Sequence, residues 1–240
     1  MRIDPTALPK SIGSLESLDA EENLDRSLLA AVMAATSLFS ADGAGLMLAD
    51  ADGRLHWASA TDDTAAIVED TQEALGQGPC QVAFTQAAPA AMRDARLEPR
   101  WGEVTLVLAD AEIRSALSVP VEANGGPIGT LDIYAVEPRD WDASEIRAVQ
   151  AYAGMLANLL VSAVAAHPTG RLARQLQVAL DHRVLIEQAK GVLMEREGMD
   201  APAAFEHIRT TARNSRRTAA EVAGELLASV TRRTSRRHAP

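Results

Sequence analysis

Apolar residues in the first two-thirds of the chain follow helical spacing in some segments and strand-like spacing in others. From Glu22 to Phe39 they recur every three or four residues, which predicts an amphipathic helix. Turn residues at Asp50–Gly53 and Asn124–Pro127 each separate two short apolar runs, which predicts two β-hairpins. The predicted strands are Ala44–Leu48, Arg54–Ala60, Ala90–Arg93, Ser115–Val121 and Ile128–Ala135, and the further predicted helices are Asp62–Ala74, Cys80–Gln86, Trp101–Ala111 and Ala143–Ala165. This order predicts an α+β fold, in which helices flank an antiparallel sheet.

The last third of the chain has helical periodicity throughout. His167–Gly170 contains a proline and a glycine that interrupt the preceding helix, so we expect a domain boundary there. Three helices are expected beyond it, at Arg171–Arg196, from Pro202 to about Arg213, and from Thr218 to about Val230. The predicted organisation is a flexible leader (1–22), an α+β domain (23–166), an all-α three-helix module (171–231) and a basic disordered tail (232–240).

The second and third helices of this module carry an apolar seam that must be buried between helices. We expect the seam to contain Phe205, Ile208, Ala212, Val222, Leu226 and Leu227, with Leu193 and Met194 closing it from the first helix. The first helix has apolar residues beyond one face, and this surplus is consistent with a dimeric coiled coil. Arg183 and Lys190 interrupt its heptads.

Charge is unequally divided between the two parts of the chain. Residues 171–240 contain 13 Lys and Arg against 8 Asp and Glu, a net charge of +5, whereas residues 1–170 contain 10 against 25, a net charge of −15. A basic end on an acidic protein indicates that a polyanion, such as a nucleic acid, binds at that end. The alternative is that a small helical module is mildly basic without binding one.

Three strings in the basic module resemble the ANTAR family of antitermination regulators. They are LIEQAKGVLMEREGM (185–199), AAFEHIRTTARNSRR (203–217) and AAEVAGELL (219–227). The resemblance implies binding to structured RNA, a pair of small hairpin loops in a leader transcript, which prevents a terminator from forming. RNA polymerase in the elongation complex is then an indirect partner, and a homodimer is the family expectation.

Seven residues of the module are candidates for RNA binding. Basic side chains bind phosphates, asparagine can read a base edge, and guanidinium groups stack on splayed loop bases. The candidates are Arg183, Lys190, Arg209, Arg213, Asn214, Arg216 and Arg217. Each arginine taken singly has the alternative role of a solvated charge or an internal ion pair. Their clustering around the junction of the second and third helices favours binding.

The first domain resembles the GAF family of sensor domains over residues 23–166. LGQGPCQVAF (75–84), PRW (99–101) and SALSVPVEANGGPIGTLDIYA (115–135) carry this resemblance. It implies a GAF/PAS-like fold and an unknown small ligand in a pocket between the sheet and the helices. A fold does not specify its ligand, so the cofactor, if the domain has one, is unknown.

Gly78, Pro79 and Cys80 are the candidate ligand or sensor residues of this domain. They form a turn at a helix start, where backbone donors can face a ligand; the alternative is that the turn only redirects the chain. Cys80 has two interpretations as well. It is either a thiol whose pKa is lowered by the helix N-terminus, and so a redox sensor, or a small buried apolar side chain.

Several classes of function lack their sequence signals. We find no P-loop, catalytic triad or paired-carboxylate motif, and the five histidines have no metal-ligand spacing, so we expect neither enzymatic activity nor a metal site. One cysteine excludes resolving-cysteine chemistry, which argues against the GAF-type methionine sulfoxide reductases. Without a long apolar run or a secretory signal, and with a cysteine that cannot form an internal disulfide, the protein is expected in the cytoplasm and not in a membrane.

Two other functions stay open at this point. One is a DNA-binding regulator that senses a metabolite or a redox signal, since three basic helices also occur in helix-turn-helix proteins. Its third helix, AAEVAGELLASV, carries almost no side chains that read bases, which argues against it. The other is a GAF ligand-binding protein whose C-terminal helices only dimerise.

Overall fold

The computed structural model of the chain describes residues 24–50, 52–166, 171–215 and 217–237. An α+β domain is followed by three helices, so the predicted fold class is confirmed. The elements are α1 (Leu24–Phe39), β1 (Gly43–Ala49), β2 (Leu55–Ala60), α2 (Asp63–Leu75), α3 (Pro79–Gln86), β3 (Ala90–Met92), α4 (Gly102–Asp110), β4 (Ser115–Ala123), β5 (Gly126–Ala135), α5 (Ala143–Ala166), α6 (Arg171–Glu197), α7 (Ala201–Ser215) and α8 (Ala219–Arg237). A short 3₁₀ turn, Ala95–Leu97, lies between β3 and α4.

The five strands form one sheet in the order β2-β1-β5-β4-β3, and every neighbouring pair is antiparallel. The β4–β5 hairpin turns through Asn124 and Gly125, whose φ angles are 53° and 88°. A two-residue type I′ turn requires positive φ at both positions, and Asn-Gly meets this requirement at little steric cost. Asn124-Gly125 therefore predicts this hairpin because both residues tolerate the backbone angles that its turn requires.

Helices cover both faces of the sheet. On one face, α1 and α5 pack on alternate strand residues such as Leu46, Leu117 and Leu131. On the other, α2 and α4 enclose a second apolar cluster that includes Met92 and Tyr134, and α3 contacts β4 and β5. The sheet is consequently buried along most of its length, which explains why β1 and β5 are apolar at nearly every position.

Helix α5 is long and apolar enough to cross a membrane by length and composition, as the sole such helix among the described residues. One face of this helix, which includes Val149, Leu156 and Leu160, is buried in the core of the first domain, whereas Met155 on the opposite face is exposed. Its Tyr152 hydroxyl also donates to the Ala31 carbonyl of α1 over 2.7 Å. These contacts are those of a core helix.

The module of α6, α7 and α8 buries the predicted seam. Phe205, Ile208, Ala212, Val222 and Leu193 are buried, and Leu226 and Leu227 are partly buried in the same cluster. Gly198, at a φ of 67°, ends α6 by donating its N–H to the Met194 carbonyl. Thr218 caps α8 as expected: the Glu221 N–H donates to Thr218 Oγ1, and the Thr218 N–H donates to Glu221 Oε2.

Two features of the module differ from the prediction. Met194 is 41% exposed, because it is the neighbour of Leu193 on the helix and consecutive residues point about 100° apart, so only Leu193 faces the seam. Helix α8 continues to Arg237, so residues 232–237, predicted to be disordered, have a helical backbone. No glycine or proline occurs between Val230 and Arg237 to interrupt it. The predicted leader (1–22), the boundary at His167–Gly170 and residues 238–240 lie outside the described residues.

The three-helix module packs directly against the first domain. Phe84 of α3 and Phe205 of α7 meet edge to face, with ring centroids 5.9 Å apart, in one apolar cluster that also holds Met47 and Leu55 of the sheet. The turn between β1 and β2 approaches the same ring: Gly53 is buried, and a Cβ there would lie 3.3 Å from Phe205 Cζ. The two domains thus share a core.

Candidate nucleic-acid interface and sensor site

Three of the predicted RNA-binding residues surround the aromatic ring of Phe205. The charged groups of Arg183, Lys190 and Arg209 lie 5.6, 5.8 and 5.9 Å from its ring centroid. Cations at this distance from an aromatic ring are attracted to its quadrupole. Phe205 therefore holds basic side chains of α6 and α7 around itself while its ring fills the shared core.

Arg183 and Lys190 are enclosed in this arrangement. They are 5% and 7% exposed, and both form ion pairs with Glu187 of the same helix. Lys190 Nζ donates to both Glu187 carboxylate oxygens over 2.9 Å. Gly126, at the start of β5, lies so close to Arg183 that any Cβ would overlap the guanidinium group. Both candidates are thus engaged in intramolecular contacts, and Arg183 is also covered by β5 of the first domain.

Burial also acts on the charge of Arg183. Desolvation lowers the pKa of its guanidinium group, and the nearby carboxylates of Glu187 and Glu122 act in the opposite direction. A cation in such a place needs its carboxylate partner, because breaking a buried ion pair leaves an uncompensated charge. Glu187 accordingly belongs to the interface between the domains.

Arg209, Arg213 and Arg217 come together at the junction of α7 and α8. They line one open cleft of about 510 Å³ with Ala212, Thr218 and Glu221 of the module. The other side of this cleft is formed by Asp52 and Arg54, from the turn between β1 and β2. This is the part of the predicted RNA-binding surface that remains open to solvent.

The arginines of the cleft differ in how far they are already engaged. Arg217 pairs with Glu225 over 2.8 Å, and Arg209 lies 3.6 Å from Glu206; both acids are more than half exposed, so these pairs are weak. The Arg213 side chain is exposed and forms no hydrogen bond or ion pair with any described residue. Asn214 is exposed beside it, and Arg216 lies outside the described residues.

Arg54 and Asp52 are neighbours of this surface that the sequence does not indicate. Nothing in the local sequence of a hairpin turn indicates which other domain it faces. The turn is held in shape by Asp50, whose Oδ1 accepts hydrogen bonds from the Asp52 and Arg54 N–H groups over 2.8 and 2.9 Å. His56 supports Asp50 in turn, with Nε2 2.9 Å from Asp50 Oδ2. Arg54 is therefore presented from an ordered turn.

Gly78, Pro79 and Cys80 are all buried at the start of α3. Gly78 has a φ of 121°, and a Cβ there would overlap the amide of Gln72, whose Oε1 accepts the Cys80 N–H over 3.2 Å. One of the backbone donors predicted to face a ligand is thus engaged by the protein itself. Burial, followed by the charges of Asp132 and Glu69, raises the pKa of Cys80 well above its ordinary value. The low-pKa hypothesis is wrong, and the structure agrees with the buried-thiol alternative.

The space between the sheet and α2 holds two buried carboxyl groups. Glu69 of α2 lies over Gly45 of β1, where any Cβ would overlap its carboxyl group, and Asp132 of β5 pairs in register with Gly45. Both are fully buried, and one oxygen of each has no hydrogen-bond partner among the described residues. The Tyr134 hydroxyl donates to the other Glu69 oxygen over 2.7 Å. Side chains of the protein itself therefore occupy the region in which a sensor ligand was expected.

Comparison with known families assigns each domain. Residues 23–160 match the GAF domain family model, and residues 174–227 match the ANTAR domain family model. The GAF match spans more than half of the chain. No curated protein is significantly similar to the chain.

Solved structures resemble the first domain in fold. The GAF domain of a phosphoenolpyruvate-protein phosphotransferase from Coxiella burnetii is 18% identical with a TM-score of 0.54, covering 68% of this chain and 96% of that chain. The corresponding Acinetobacter domain is 14% identical with a TM-score of 0.54, covering 70% and 99%. Free methionine-R-sulfoxide reductase from Neisseria meningitidis is 17% identical with a TM-score of 0.51, covering 67% and 89%. At these identities the likeness concerns the fold alone.

Proposed function

Because the chain belongs to the GAF family and carries an ANTAR domain behind its sensor domain, we propose that it is a transcription antitermination regulator that binds RNA hairpin loops. The GAF domain receives a signal from a small ligand, and the ANTAR helices bind a leader transcript. Binding prevents a terminator from forming, so RNA polymerase is affected indirectly. The protein has no catalytic role in this proposal.

The single observation that carries the proposal is the open arginine surface at the junction of α7 and α8. Arg213 and Asn214 are exposed side by side, and Arg209 and Arg217 are bound only by weak, exposed ion pairs. Guanidinium groups can bind phosphates and stack on unpaired bases, and an asparagine amide can read a base edge. The surface thus offers the three kinds of contact that a looped RNA needs.

The burial of Arg183 and Lys190 restricts how the module binds RNA. Both residues are buried and paired with Glu187, and Arg183 lies against β5, so the first contact is made by the α7–α8 junction. Arg183 and Lys190 join the interface after the ANTAR helices move away from the GAF domain. The protein acts in the cytoplasm as a homodimer in this proposal, in line with the surplus apolar surface of α6, where Val178, Val184 and Leu185 are exposed.

The proposal is tested by fluorescence anisotropy of the full chain with an RNA that carries two hairpin loops. Arg213→Ala is expected to weaken binding about tenfold, a loss of ~1.4 kcal/mol. The reason is that the Arg213 side chain, which has no partner among the described residues, would form a charge-assisted hydrogen bond with the RNA. Arg147→Ala is the matched control, since Arg147 is exposed on α5, outside the cleft. Equal affinities for the wild-type and Arg213→Ala proteins would contradict the proposal.

A further inference from the structure

The cleft between the GAF turn and the α7–α8 junction has the composition of an anion site. Four guanidinium groups, Arg54, Arg209, Arg213 and Arg217, face two carboxylates, Asp52 and Glu221. This excess of positive charge occurs in a protein whose formal net charge is −10. Of the two acids, Glu221 is already engaged in the cap of α8. The cleft therefore attracts an anionic ligand.

The side chains of two of these four arginines have no partner among the described residues. Arg54 and Arg213 come from different domains, are both exposed, and make no side-chain hydrogen bond or ion pair within the described residues. Arginine binds phosphate through two parallel N–H groups, which gives geometric specificity as well as affinity. A phosphate group between Arg54 and Arg213 would give each an ionic partner.

The size and walls of the cleft suit a small molecule. Its volume is about 510 Å³, within the range of pockets that bind small ligands. One wall is a β-turn and the other is a helix junction, so the cleft encloses a ligand from two sides. Asp52 adds an acceptor that suits the hydroxyl groups of a sugar.

We propose that this cleft is a binding site for a small phosphorylated molecule of nucleotide size, held by Arg54 of the GAF domain together with Arg209, Arg213 and Arg217 of the ANTAR domain. The ligand joins the two domains by bridging them. Because Arg209, Arg213 and Arg217 also belong to the proposed RNA surface, the ligand and the RNA compete for the same side chains. The site itself does not depend on RNA being a partner.

The test is isothermal titration calorimetry of the full chain with pyrophosphate and with ADP. We expect saturable binding of at least one of them with a Kd below about 1 mM. Arg54→Ala and Arg213→Ala should each weaken this binding about tenfold or more, and Arg54→Lys should restore it only in part, because lysine lacks the planar fork. Arg147→Ala should bind like the wild-type protein.

Absence of saturable binding for both probes would overturn the inference, as would an Arg54→Ala protein that binds like the wild type. A competition experiment separates this inference from the proposed function. If RNA binds, excess pyrophosphate should release it, and failure to do so despite pyrophosphate binding would contradict a shared site. If RNA does not bind but pyrophosphate does, the proposed function fails and the phosphate site stands.

Discussion

At the scale of single residues, the buried carboxyl groups of Asp132 and Glu69 lie in an environment that opposes their ionisation. Both lie in the space between the sheet and α2, where no cation faces them among the described residues. Burial raises the pKa of Asp132 to about 7, against the hydrogen bond that the Thr130 hydroxyl donates to it. Burial and the charge of Asp132 raise the pKa of Glu69 in the same direction. These groups link the stability of the GAF domain to pH.

The sign of this linkage follows from the raised pKa of Asp132. The folded protein keeps the proton up to about pH 7, whereas the ordinary value is 3.8. The stabilisation is therefore fully present below pH 3.8 and is lost as the pH rises through about 7. Asp132→Asn removes the ionisation, so the melting temperature of this variant, relative to the wild type, should rise between about pH 4 and pH 7.

Thermal unfolding followed by circular dichroism at several pH values checks this expectation. Asp70→Asn, at an exposed position of α2, is the matched control and should follow the wild-type curve. If the Asp132→Asn and wild-type curves stay parallel across the pH range, Asp132 is not the group that titrates.

Among the secondary-structure elements, α8 depends on the reciprocal cap between Thr218 and Glu221. Thr218→Ala removes the side-chain oxygen that accepts the Glu221 N–H, and the loss of such a cap costs about 1 kcal/mol of the free energy of unfolding. Urea unfolding should measure this loss. Thr211→Ala, at an exposed position inside α7, is the control and should cost clearly less. Equal costs for the two variants would mean that the cap adds nothing at this site.

The elements were predictable because their signals are local. The turn residues Asp50–Gly53 and Asn124–Pro127 identified both hairpins. Gly198, with its positive φ angle, identified the end of α6, and Thr218, with its capping hydroxyl, identified the start of α8. The end of α8 was less predictable, because no residue in the sequence marks where it stops. The side-by-side pair Leu193 and Met194 shows a further limit: helical spacing is a weak guide to which of two adjacent apolar residues faces the core.

At the scale of the whole molecule, the candidate site was only partly predictable. Arg209, Arg213 and Arg217 lie within one short stretch around the α7–α8 junction, and the structure brings them to one cleft. The pattern Arg183-Glu187-Lys190 has the spacing of charges on a solvated helix face, yet Arg183 and Glu187 lie against β5 of the GAF domain and Lys190 is buried beside Phe205. Packing of the GAF domain against the three-helix module also brings Arg54 to the site. Such contacts arise from packing between domains that are distant in sequence.

The shared core around Phe205 relates the two domains. Its ring contacts Phe84 of α3, Arg183 and Lys190 of α6 and Arg209 of α7. A displacement of α3 against the sheet would therefore change the packing of Phe205, the residue around which the basic side chains lie. Cys80 and Gln72 lie in the same region, which connects the predicted sensor turn with the RNA-binding helices.

The most direct measurement is the affinity of the intact chain for a two-hairpin RNA and for duplex DNA of equal length, each over a series of salt concentrations. With about four phosphate contacts to unpaired nucleotides, the logarithm of the RNA binding constant should fall against the logarithm of salt with a slope near −3. The RNA should bind more tightly than the DNA at every salt concentration. Equal or tighter binding of the duplex DNA, or no binding of the RNA, would contradict recognition of looped RNA by this protein.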